Sequence, residues 1–151
     1  MATQHFLVPL DFSESANQAL DYAITLAGKL GARVTILHVI QSLPLGGVDM
    51  RVTLPLAYVQ DLEAEIRRSM ASCLERVTAA GLEGDVVIVH GVPFHEIIET
   101  AKTQQVNLIV MGTHGHTGLH YVLLGSVAEK VVRLAPCPVL VARQPTIIPV
   151  S

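Results

Sequence analysis

The chain has 151 residues, half of them hydrophobic but only 4% aromatic, and a formal net charge of −3. That length suits one domain, residues 1–151, which buries roughly 70% of its unfolded surface and needs no disulfide or structural metal to fold. Scattered basic residues on an acidic background exclude the electrostatic footprint of a nucleic-acid binder, and no apolar run reaches the roughly 18 residues of a membrane helix.

The elements alternate. His5–Leu10 is a short apolar run that predicts a buried strand, closed by Asp11, Phe12 and Ser13. Ala16, Ala19, Leu20, Ala23, Ile24, Ala27 and Leu30 then recur at three-and-four spacing and predict a helix. Ser13 or Ser15 can cap it, Ser15 with Gln18 in capping-box spacing, and Gly31 ends it. Arg33–Ile40 predicts a second strand. Residues 41–55 carry two prolines and two glycines with no clean period, which predicts a long loop. Leu56–Ala80 reads as an amphipathic helix with Val59, Leu62, Ile66, Met70, Cys73, Leu74 and Val77 inward.

The second half continues the pattern. Asp85–His90 predicts a third strand, and Phe94–Gln105 a helix burying Phe94, Ile97, Ile98 and Ala101. Leu108–Met111 predicts a fourth strand, followed by the glycine-rich stretch 112–125. Ser126–Ala135 predicts a helix with Val127, Ala128, Val131 and Val132 inward, and Val139–Ala142 a fifth strand. The tail 144–151 reads as surface chain. Strict strand–helix alternation means an α/β three-layer fold, a parallel sheet with helices on both faces. Cys73 and Cys137 stand in no CxxC pattern, which fits a reduced, cytoplasmic protein, and the first residues lack the form of a signal peptide.

Ligands of such sheets bind beyond the carboxyl ends of the strands, where strand order switches. Three segments end there: Pro9-Leu10-Asp11, His38-Val39-Ile40, and the stretch from Gly112 onward. The last is the strongest signal. Glycines let backbone N–H groups approach an anion without a Cβ in the way, and the helix starting near Ser126 adds orphan N–H groups and a positive dipole end. Ser126 can donate its hydroxyl to a phosphate or cap its own helix. The stretch is neither a P-loop, since no lysine follows Gly125, nor a Rossmann fingerprint, which would follow the first strand.

Two readings stand side by side at several positions. Asp11 can cap a helix or contact a ligand. The glycine stretch can be a phosphate cradle or a long turn. His114, His116 and His120 are polar loop residues or an incomplete metal cluster with no carboxylate or cysteine beside them. Lys130 can be solvated or reach toward the phosphates. Cys73 and Cys137 read as structural.

Gly112, Gly115, Gly125 and Ser126 follow the spacing G-x2-G-x9-G-[ST]. With Val8-Pro9-Leu10-Asp11-Phe12-Ser13, Leu37-His38-Val39 and the closing Cys137-Pro138-Val139-Leu140-Val141, the chain resembles the ATP-binding branch of the universal stress protein family. The resemblance implies a five-stranded parallel sheet in the order 3-2-1-4-5 and a site for ATP with Mg²⁺ or Mn²⁺. It implies that Pro9, Leu10 and Asp11 border the nucleotide, with Asp11 on the ribose or helping to hold the metal. Val39 would bind adenine through its backbone. Met111 and Gly112 would flank the nucleotide, and Gly115, Gly125, Ser126 and Val127 would hold phosphates. It further implies a homodimer through antiparallel pairing of Val139–Ala142, which would also cover an apolar edge strand. The functions in view are a nucleotide-dependent stress-response regulator, a slow ATPase or phosphotransfer enzyme, and a dimeric scaffold without ATP or holding AMP. No catalytic pair is evident.

Overall fold

The computed structural model describes residues 3–41, 55–114 and 124–143. Its elements run β1 (His5–Pro9), α1 (Glu14–Leu30), β2 (Arg33–Ile40), α2 (Leu56–Ala79), β3 (Gly84–His90), α3 (Pro93–Thr103), β4 (Leu108–Gly112), α4 (Ser126–Leu134) and β5 (Val139–Ala142). The strands form one sheet in the order β3-β2-β1-β4-β5, every neighbouring pair parallel. This is the order expected from the family resemblance. The loop expected at 41–55 and the tail from 144 lie almost wholly outside the described residues.

The strands are apolar on both sides because each side meets a helix layer. Phe6 and Val8 of β1, Val34 and Ile36 of β2 and Val110 of β4 point to one face, where they pack with Ala16, Ala19, Leu20, Ala23 and Ala27 of α1 and Met70, Cys73 and Val77 of α2. Leu7, Leu37, Ile109 and Met111 point to the other and meet Ile97 and Ala101 of α3 and Ala128 and Val131 of α4. The alternation is the strand's two-residue period read out as two cores. Each fully buried Leu, Ile or Phe contributes about 1.5–3 kcal/mol. No helix among the described residues is long and apolar enough to cross a membrane.

Four expectations change. The amphipathic face of α2 is only partly used: Met70, Cys73 and Val77 are buried, whereas Leu62 is 43% exposed. Val132 of α4 is likewise exposed, while Ala128 and Val131 on the adjacent stripe fill the core. α3 stops at Thr103 rather than Gln105. There Gln105 adopts φ 52°, its N–H bonds to Lys102 O and the Val106 N–H to Ala101 O, a Schellman closure with the apolar Val106 tucked beneath. Finally, Ser13 alone caps α1, through Ala16 N–H at 3.1 Å; Ser15 has a different task.

Candidate functional site

β1 leads into α1 on one face of the sheet and β4 into α4 on the other, so the chain diverges at the carboxyl ends of these adjacent strands. The crevice between them is the switch point of the fold.

The β1 corner is held by β2. Leu10 N–H donates to Leu37 O at 2.7 Å. Leu10 O in turn lies 2.7 Å from His38 Nδ1, and since a carbonyl only accepts, Nδ1 carries the proton. The His38 ring also packs on Phe12, centroids 4.7 Å apart. Phe12 has φ 64°, a left-handed conformation that a bulky residue adopts at a cost of about 1–2 kcal/mol. That turn brings Asp11 Oδ1 to the Ser13 N–H, at 2.9 Å. Asp11 therefore shapes the entry to α1 while Ser13 supplies the cap. His38, which the sequence shows only as a strand-end residue, is the clamp on this corner.

The backbone of β2 faces its neighbours alternately. Leu37 O meets β1, Ile40 O accepts from Gly91 N–H on the β3 side, and Val39, two residues beyond Leu37, turns its amide and carbonyl back toward the β1 side. β1 has ended there, at Pro9. The side chains of Leu10 and Met111 are 3% and 5% exposed, inside the two cores, so each meets the crevice through its backbone.

On the β4 side the close approach of α1 dictates the first glycine. A Cβ on Gly112 would stand 2.8 Å from the carbonyl carbon and oxygen of Ser15 and would also collide with its hydroxyl. The chain then turns along Ser15: its Oγ accepts Thr113 N–H at 3.0 Å and His114 N–H at 3.4 Å. Thr113 Oγ1 bonds His114 Nδ1 at 2.7 Å. When the chain returns, Gly125 N–H donates to Thr113 O at 2.6 Å, and a Cβ on Gly125 would press on that oxygen at 2.9 Å.

These bonds redistribute the anion-binding capacity expected of the stretch. The amides of Thr113, His114 and Gly125 are spent within the protein. The first turn of α4 is different: Gly125 is its N-cap, no described side chain caps it, and Ser126 is exposed with Val127 half-buried. A helix start of this kind carries orphan N–H groups and the positive dipole end. Gly115, His116 and His120 lie outside the described residues. Lys130 Nζ sits 4.7 Å from the centroid of the Phe94 ring of α3, a cation–π contact. Among the described residues no three His, Cys, Asp or Glu side chains gather as metal ligands.

A separate cleft of about 200 Å³ opens farther along the same edge of the sheet, between β2, β3 and α2, lined by Ile40, Glu63, Arg67, Ile88 and His90. His90 Nε2 and Glu63 Oε1 face each other across it at 3.7 Å.

The model of the universal stress protein family matches residues 2–143. Universal stress protein YxiE of Bacillus subtilis is 34% identical over 146 residues, covering 91% of this chain and 97% of that one. The solved structure of MJ0577, a universal stress protein of Methanocaldococcus jannaschii, superposes with a TM-score of 0.81 at 30% identity, covering 97% of this chain and 99% of that one. A universal stress protein solved in complex with cAMP superposes with a TM-score of 0.70 at 25% identity, covering 95% of this chain and 98% of that one.

Proposed function

The chain belongs to the universal stress protein family, and on that footing we propose that it binds an adenine nucleotide, ATP with Mg²⁺ or Mn²⁺, in the crevice between β1 and β4, as a nucleotide-dependent regulator of the stress response. The observation that carries the reading is the first turn of α4, capped by no described side chain and set behind Gly125 at the carboxyl end of β4. The amides of Ser126 and Val127 supply directional donors for phosphate oxygens, with Gly115 added from the loop. Val39 offers adenine a donor and an acceptor from one side of β2. Pro9, Leu10 and Asp11 border the ribose, and Gly112 and Met111 form the wall beneath. A divalent ion would neutralise phosphate charge; it would ride on the nucleotide, with Asp11 the carboxylate at the same corner. The cAMP complex of a relative supports an adenine nucleotide as the ligand class. The regulator is taken to act as a homodimer joined along Val139–Ala142.

Titration calorimetry with Mg-ATP tests the site. Ser126→Pro deletes one first-turn amide at a helix position that tolerates proline, and it is expected to weaken ATP by about tenfold or more, the worth of a hydrogen bond to a charged group. Ser126→Ala, which keeps the amide, is expected to cost less. Absence of binding by ATP, AMP and cAMP at millimolar concentration overturns the reading.

A further inference from the structure

We infer that Ser15 is a positioning residue for the phosphate end of the nucleotide site, referencing the first turn of α4 to the body of the protein; this rests on the adenine-nucleotide reading above. Ser15 is the second residue of α1 and is released from capping because Ser13 performs it. Its hydroxyl takes the amides of Thr113 and His114, 98 and 99 residues away in sequence. Its backbone forms the surface against which Gly112 lies without a side chain.

The Thr113 peptide is then pinned at both ends. Its N–H is fixed to Ser15 and its carbonyl to the Gly125 amide, and Thr113 itself is 6% exposed. Gly125 is the N-cap of α4. A bonded path therefore runs from Ser15 through Thr113 to Gly125 and on to the amides of Ser126 and Val127. Removing the Ser15 hydroxyl leaves two part-buried amides without their acceptor. The Thr113 peptide can then rotate to find another, carrying Gly125 with it and turning the α4 amides off their aim. The base and ribose end is anchored independently, by Leu37 and His38 on Leu10. Ser15 thus governs the contribution of the phosphates and leaves that of the nucleoside alone.

The test compares ATP and adenosine on wild type, Ser15→Ala, Ser15→Cys and Ser15→Thr, with amide exchange of Thr113 and His114 read in the ligand-free protein. Ser15→Ala is expected to weaken ATP by about tenfold, leave adenosine unchanged and speed exchange at both amides. Ser15→Thr, which keeps the acceptor oxygen, restores ATP affinity. Ser15→Cys replaces the hydroxyl with a weak acceptor in similar volume and carries the test if the alanine variant does not fold. Equal loss for ATP and adenosine, loss for neither, or unchanged exchange at Thr113 overturns the inference. A wild type that binds neither ligand overturns the nucleotide reading instead, and the exchange arm still decides whether Ser15 anchors the loop.

Discussion

His5 opens the central strand at the edge of the sheet opposite the crevice and is only 3% exposed. Arg33 donates to its Nδ1 at 3.2 Å, which requires that nitrogen unprotonated. Nε2–H then donates to Thr35 Oγ1 at 2.7 Å, and the Thr35 hydroxyl to Asp85 Oδ1 at 2.5 Å. The relay across β1, β2 and β3 is self-consistent only with a neutral ring. Burial, and after it the Arg33 charge, push the His5 pKa below its ordinary value near 6.5, against the opposing pull of the Gln104 backbone and of Asp85 and Glu83. The native state thus takes up its proton at lower pH than the unfolded chain does. The stability this provides is complete above about pH 6.5 and is lost as pH falls from there through the native pKa. Urea midpoints are expected to drop between pH 7 and pH 5, with the drop reduced in His5→Gln. Parallel pH curves for the two proteins would show that His5 does not carry the effect.

At the scale of the element, α3 shows how a helix can end on an unsuited residue. Gln105 holds the left-handed position that glycine normally takes. It is exposed and its backbone bonds need no side chain. Gln105→Gly is expected to stabilise the protein by about 1 kcal/mol, the left-handed cost less the added chain entropy of glycine, measured by urea unfolding. The sequence hid this ending because Phe94, Ile97, Ile98 and Ala101 keep their period up to it and no glycine marks the stop. Strands and helices elsewhere were legible for a plain reason: a parallel sheet covered on both faces writes short β-rich apolar runs, and its helices write a three-and-four stripe. At Leu62 the stripe persists without burial. The site was legible to the extent that it is local. Gly112 and Gly125 stand out, and the structure supplies their reason in Ser15 and the Thr113 carbonyl. The choice between Ser13 and Ser15 as cap was not legible, because both fit the same helix start and only a contact with Thr113 separates them. His38 was missed likewise, since its partner Leu10 lies just past the end of another strand.

For the whole molecule, the asymmetry of the sheet edges matters. Among the described residues β5 pairs with β4 on one side only. Pro138 O accepts from Ile109 N–H, so the even positions of β5 face β4 and Val139 and Val141 turn their amides outward. Val141→Pro therefore removes an outward donor while sparing the ladder to β4. If the dimer forms along this edge, sedimentation velocity is expected to show a dimer for wild type and a monomer for Val141→Pro with unchanged circular dichroism. A variant that stays dimeric places the interface elsewhere.

β1 runs in register with β2 from His5 to Pro9, but with β4 only at Phe6–Leu108 and Leu7–Ile109. The two parts of the sheet are thus stitched most sparingly along the line that ends in the crevice. A molecule lodged across that line acts as a rivet, and occupancy at a hundred times its dissociation constant would add about 2.7 kcal/mol to the folded state. The protein's resistance to unfolding then becomes a gauge of how much ligand surrounds it.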